Sequence, residues 1–202
     1  MSKTLVFVDS KKIIGLAVPI IGSQIHISKN VTCSGGFSWV LQGAVTKNTQ
    51  ESVVVSLKDM LPEDIARRLV KKFPEEFSFS DLDEFTRKIT TMDDVVGLPL
   101  KISGVLSIPG ANVTSSFDPY NPPDLSCVRQ FSYGGENCFV STLTSDGICF
   151  PVYFSADSLS RVIYCNNKQV DIVGTLGFSS WYDVGKGRNI NTVLTGIVLW
   201  TK

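Results

Sequence analysis

Histidine is almost absent from this chain: among 202 residues only His26 is one. A Ser-His-Asp or Cys-His catalytic arrangement would have to run through that single imidazole. It stands between Ile25 and Ile27 with no partner readable from the sequence, so a structural role is expected for it. One histidine also cannot supply the nitrogen ligands of the usual zinc sites. Net charge is missing too. Lys plus Arg and Asp plus Glu number 19 each, divided 12 and 12 in residues 1–100 and 7 and 7 in residues 101–202. A nucleic-acid binder ordinarily carries a basic excess that displaces counterions, and neither half of this chain has one.

Membrane-length apolar runs are lacking as well. Ile13–Ile21 follows Lys11-Lys12 but contains Gly15 and Pro19, and it is far too short to span a bilayer. Asp9 lies upstream and no small-x-small cleavage site follows, so a buried strand or short helix is expected there instead of a signal sequence. The five cysteines, Cys33, Cys127, Cys138, Cys149 and Cys165, contain no Cys-x-x-Cys pair. Free thiols in a reducing compartment are the expectation, with a disulfide among the last four as the alternative. Asn30-Val-Thr and Asn112-Val-Thr match the glycosylation acceptor but carry no weight without secretion. These absences point to a soluble, cytoplasmic, intracellular protein without metal or other cofactor and without a membrane partner.

What the chain does have is alternation. Leu100-x-Ile102-x-Gly104-x-Leu106-x-Ile108 returns as Val170-x-Ile172-x-Gly174-x-Leu176-x-Phe178. Period two over nine residues predicts a strand with one buried face. In both copies a glycine takes the middle of that face, which marks a bulge, a bend or a close backbone approach. Gly104 and Gly174 are therefore expected to face inward and to resist bulky substitution. The pair could reflect a duplication, although nothing outside the nine residues supports one.

The rest of the chain reads as further strands and one helical pair. Strands are expected at Thr4–Val8, Gln24–Ser28 and Phe37–Val45, the last pairing with Val53–Leu57. Pro62, Glu63 and Asp64 open a helix whose stripe is Ile65, Leu69, Val70 and Phe73. Pro74 stops it, and a second helix starts at Ser80, which forms a capping-box-like Ser-x-x-Asp with Asp83. Pro109–Asp124 reads as a long loop. From Ser126 onward come hairpins turning at Gly134-Gly135 and Ser145-Asp146-Gly147, an ambiguous Ser158–Cys165, a loop at Tyr182–Asn189 and a last strand at Thr192–Trp200. The fold class is α+β and β-rich, with a mixed or antiparallel, barrel-like sheet and a helical pair inserted around residues 62–91. Residues 1–202 are expected to form a single domain, with 109–124 the place where it would divide into two lobes. A strand bent at a central glycine resembles the first strand of OB-like barrels, a resemblance carried by Leu100–Ile108 and Val170–Phe178. It implies a barrel that binds oligonucleotides or oligosaccharides on an open face.

Candidate sites are few. Gly185-Lys186-Gly187-Arg188-Asn189 places two cations on a flexible backbone that could meet a phosphate, although the P-loop spacing is absent. Trp181 and Tyr182 lie just upstream, where aromatics beside cations could stack bases. Trp181, Tyr182, Lys186 and Arg188 are thus the ligand-binding candidates, and no catalytic or metal residue is assigned. Asp93-Asp94 and Asp81-x-Asp83-Glu84 are read as helix-flank charge, and Arg67-Arg68-x-x-Lys71-Lys72 as a solvated helix face. Phe117–Pro123 could serve as a partner-binding loop. The leading function is a non-catalytic interaction protein that engages another macromolecule, foremost a protein, through loops or a sheet edge. The alternatives are a single-stranded nucleic-acid-binding OB-like protein and a hydrolase using carboxylates or a cysteine.

Overall fold

A computed structural model describes residues 3–28, 52–90, 95–111 and 125–201. The expected strand Phe37–Val45, Cys33, Asp93-Asp94, Phe117–Pro123 and both acceptor asparagines lie outside the described residues. Strand β1 (Thr4–Val8) ends at Asp9. The Asp9 carboxylate accepts the backbone N–H groups of Lys11 at 3.0 Å and Lys12 at 3.2 Å, a local bond that turns the chain into a helix. Of the two conformations expected for Ile13–Ile21, the chain adopts the helix, α1 (Ile13–Ile21). Strands β2 (Gln24–Ser28) and β3 (Ser52–Ser56) then form an antiparallel ribbon in register from Gln24–Ser56 to Ser28–Ser52. The second of these pairs with Gln24–Ser28, and the expected pairing with Phe37–Val45 lies outside the described residues.

The helical pair stands where it was expected. Helix α2 (Pro62–Lys72) starts on a proline, whose missing N–H has no intrahelical partner to lose, and carries acids in its first turn and lysines in its last. After strand β4 (Ser78–Phe79) comes α3 (Leu82–Thr90). Its cap is Asp81 and not Ser80: Asp81 Oδ1 accepts from the N–H groups of Asp83 at 2.7 Å and Glu84 at 3.4 Å. A carboxylate accepts there more strongly than a hydroxyl, and Asp83 is left free for another use. Among the described residues no helix is long and apolar enough to cross a membrane.

The remaining elements are β5 (Pro99–Ser107), β6 (Gln130–Tyr133), β7 (Glu136–Ser145), β8 (Ile148–Ser155), the short α4 (Leu159–Val162), β9 (Lys168–Gly185) and β10 (Arg188–Thr201). Ser158–Cys165 is therefore helical. Five strands close into a barrel in the order β5-β7-β8-β10-β9-β5, every pair antiparallel except β8 with β10. With α4 between the third and fourth barrel strands, this is the connectivity of an OB-type Greek-key barrel. β1 extends the sheet along the end of β10, β4 adds beside β5 and β6 beside β7.

The two glycine strands are each other's neighbours. β5 and β9 run antiparallel about Ile102 opposite Ile172, so Leu100 faces Gly174 and Gly104 faces Val170. The shared pattern follows from both strands lining one core, with Leu100, Ile102, Leu106, Val170, Ile172 and Leu176 all buried in it. Phe178 breaks the expectation of a continuous buried face, being 60% exposed. The outer surface of β9 is buried as well near its start. Val173 packs with Ile197, Val198 and Trp200 under α1 and α2, while Asp171 accepts from Ser103 Oγ at 2.5 Å and pairs with Lys3. These partners offset the desolvation of a carboxylate that is 1% exposed.

Both glycines are buried, for unequal reasons. A Cβ on Gly104 would lie 3.3 Å from the Thr144 carbonyl oxygen and 3.4 Å from Leu143 Cβ, where β5 closes onto β7. A Cβ on Gly174 would overlap the Thr195 carbonyl outright. Directly opposite Gly174 stands Gly196, and a Cβ there would enter the Phe154 ring. Gly174→Ala should therefore destabilise the protein by about 3 kcal/mol or more, whereas Gly104→Ala should cost about 1 kcal/mol. Denaturant midpoints of the two variants check this; equal losses would refute the close approach of β9 to β10.

Candidate functional site

The end of the β9–β10 hairpin is strand where the sequence suggested a loop over Tyr182–Asn189. Its tip is only Lys186-Gly187, with φ of 52° and 71° between the paired Gly185 and Arg188. Two residues at positive φ make the turn whose twist suits a hairpin. Besides a shift next to the tip, between Arg188 and Asn189, the ribbon is irregular between Ile190 and Thr192. Phe178 pairs with Thr192 and Tyr182 with Ile190, so Ser179-Ser180-Trp181 stands opposite a single residue, Asn191. Such a bulge breaks the ladder and re-aims side chains. Trp181 emerges from it 71% exposed, three residues after the exposed Phe178.

Beneath the bulge lies a cluster of aromatic rings on the outside of the barrel. Tyr153 of β8 is buried, with Phe131 and Tyr133 of β6 packed edge-on against it at centroid distances of 4.7 and 5.0 Å. Hydroxyl groups tie these rings to the ribbon. Tyr133 Oη donates to the Phe178 carbonyl at 2.7 Å, and Tyr153 Oη meets Ser179 Oγ at 2.8 Å as well as the Tyr182 hydroxyl. Burial, with the Tyr182 hydroxyl beside it, pushes the Tyr153 phenol up to about 12. It stays protonated at neutral pH and keeps its donor. Thr192 Oγ1, on the residue opposite Phe178, is buried without a hydrogen-bond partner among the described residues. The bulge thus leaves a local defect, of the kind that sequences tolerate at sites used for something else.

The cations of the tip belong to a different structure. Arg188 Nη1 donates to the Asp83 carbonyl at 2.9 Å and to Thr86 Oγ1 at 2.8 Å, and Nη2 pairs with Asp83 Oδ1. Lys186 Nζ reaches the same carboxylate oxygen at 3.1 Å, and Arg87 holds Oδ2. The Arg188 hydrogen bond, helped by those of Lys186 and Arg87, holds the Asp83 carboxyl well below the usual carboxylate range. Of the four residues grouped from sequence, Trp181 is open to solvent and Tyr182 is hydrogen-bonded to Tyr153 beneath the bulge. Lys186 and Arg188 clamp the tip to α3, five and seven residues further along the chain. The five residues from Trp181 to Lys186 span about 17 Å of extended strand. Phe178, Phe131, Tyr133 and Tyr153 join the site instead. Strand alternation had placed Phe178 inward, and nothing in the sequence links β6 or β8 to the ribbon.

Other candidates resolve simply. Cys127 and Cys149 are exposed free thiols, and Cys138 and Cys165 are buried ones. Burial pushes the Cys165 thiol up to about 11 and raises Cys138 too, the reverse of what a nucleophilic thiolate needs. Among the described residues no group of three or more His, Cys, Asp or Glu could hold a metal ion. No protein-family model matches this chain, and no curated protein matches it.

A depressed carboxylate contributes stability above its unfolded value, near 3.9, and loses it as pH falls toward the folded one. Asp83→Asn should therefore be less stable than the parent at neutral pH, and the gap should narrow below about pH 4. Thermal unfolding of both proteins between pH 2 and 7 measures this. A constant gap would remove the clamp from the account.

Proposed function

We propose that this protein is a non-catalytic binding module that engages a partner protein through the aromatic end of the β9–β10 ribbon. One observation carries the reading: Phe178 and Trp181 stand 60% and 71% exposed on a bulge fixed from below by three tyrosines. Large aromatics on a rigid support lose little conformational entropy on binding, and they dominate the energetics of protein interfaces. The chemistry of the tip points the same way. A phosphate backbone needs unsatisfied cations, and Lys186 and Arg188 are already paired with Asp83.

The OB-type connectivity favours a second reading, single-stranded nucleic acid. Such barrels bind on the face of their second and third strands, which here are β7 and β8, and Tyr153 lies on that outer face. Stacking on Phe178 and Trp181 would then supply the contacts.

One comparison separates the two. The parent and a Phe178→Ala/Trp181→Ala variant are used to capture partners from the native host. Each captured protein is then purified and titrated against both forms, with a dT oligonucleotide titrated in parallel at low salt. The proposal expects a purified partner whose affinity falls by about a hundredfold or more in the variant, with no saturable oligonucleotide binding. Partners that bind both forms equally would overturn it. Salt-sensitive dT binding that the variant loses would replace it with the second reading.

A further inference from the structure

Apart from the barrel, β2 and β3 make a sheet of their own with two strands. Ile25 seats this sheet against the cluster of α1 and α2. Two strands alone are marginal, and a third makes a sheet independently stable. The direction of the backbone groups follows from one bond. The Leu57 N–H donates to the Ser23 carbonyl at 3.1 Å, so that pair is a hydrogen-bonded one. By alternation Ile25–Val55 and Ile27–Val53 are hydrogen-bonded pairs too. The N–H and C=O groups of Ser52, Val54 and Ser56 therefore point away from β2. They reach an edge that pairs with no strand among the described residues.

A free edge is a template for a further strand, and chains ordinarily defend it with charge, proline, a bulge or shortness. β4 and β6 are two and four residues long, and β1 is bulged between Leu5 and Phe7. β3 has none of these defences. It holds no charged residue and no proline, three of its five residues are valine, and its register runs unbroken. Val54, at its centre, is 49% exposed. The strand also reads the same in both directions, Ser52-Val53-Val54-Val55-Ser56. A second copy laid antiparallel about a two-fold axis at Val54 sets Val54 opposite its like, Val53 opposite Val55 and Ser52 opposite Ser56. The residues that then exchange hydrogen bonds, Val54 with Val54 and Ser52 with Ser56, are those whose N–H and C=O groups point outward. Valine meets valine and serine meets serine, with no charge in the seam. The outer edge of β2 lacks that symmetry, since Gln24 would face Ser28.

We infer that the chain associates with a second copy of itself through the β3 edge, giving a continuous sheet in the order β2-β3-β3-β2. The contact is isologous and closes at a dimer. Its small extent places it among weak, reversible associations. The inference is independent of the aromatic ribbon. Sedimentation equilibrium of the full chain, from micromolar to near-millimolar concentration, tests it, and a reversible monomer–dimer equilibrium is expected. Val54→Lys and Val54→Glu each place like charges across the axis and should each weaken dimerisation by about tenfold or more. Mixed in equal amounts at low salt, the two variants should recover a dimer containing one of each, because this register sets lysine against glutamate. The Val54 side chain is exposed, so both variants should fold, and circular dichroism checks that they do. The Phe178→Ala/Trp181→Ala variant should dimerise as the parent does. A parent that stays monomeric would overturn the inference, whether its edge is then bare or taken by another strand, of this chain or of a different protein. So would a Val54→Lys variant that dimerises like the parent, a mixture that stays monomeric, or a dimer lost in Phe178→Ala/Trp181→Ala.

Discussion

The close approach of β9 to β10 at Gly174 and Gly196 governs the rest of the molecule. With no side chain on either residue, the Thr195 carbonyl fits against Gly174 and the Phe154 ring lies against Gly196. Phe154 is then fully buried and stacks with Phe139 at 5.8 Å while meeting Phe7 edge-on at 6.1 Å. One backbone contact thus joins β1, β7, β8, β9 and β10 in a single packing arrangement. Burying a ring of that size stabilises by about 1.5–3 kcal/mol. A methyl group on Gly196 would force the ring out and one on Gly174 would push β9 off the Thr195 carbonyl, and close-packed interiors have no slack for either. The same pair of strands, carried past the barrel, becomes the ribbon that presents Phe178 and Trp181. Barrel closure and display of the candidate surface are therefore two ends of one element.

The ribbon is held at two places by different physics. Near the barrel, neutral hydroxyl bonds from Tyr133 and Tyr153 fix the bulge, and burial keeps both phenols protonated. At the tip, one carboxylate gathers three cations. The first restraint is indifferent to salt and to pH near neutrality. The second is electrostatic and depends on both. An aromatic surface braced in this way differs from a mobile loop that orders only when a ligand arrives, because little entropy remains to be lost on binding.

Much of the fold could be read from the residues because it is written in local patterns. Alternation located β5, the first half of β9 and the last strand, glycine-containing turns located the hairpins, and Pro62 with its acidic first turn located α2. Even the inward glycines were legible. Their consequence was not, since it depends on Thr195, Gly196 and Phe154, which come close only when the barrel closes. The candidate site was legible in part. Trp181 and Tyr182 fell within the stretch singled out, but Lys186 and Arg188 read as free cations because their partner Asp83 lies about a hundred residues earlier. Asp83 itself read as half of a capping box, a role that Asp81 fills. Phe178 kept the alternation of a buried face and is exposed at the edge of the bulge, while Val184 and Ile190 beyond it return to the core. Local rules do not encode where a bulge interrupts a strand.

Amide hydrogen exchange along the β9–β10 ribbon tests the central claim, that the aromatic surface is a braced extension of the barrel. The account predicts slow exchange at Tyr182, Val184 and Ile190, close to that of the β7–β8 hairpin and separated from it by less than about tenfold. Exchange at those amides as fast as in an unfolded chain would contradict it, because Tyr182–Asn189 would then be the loop that the sequence suggested.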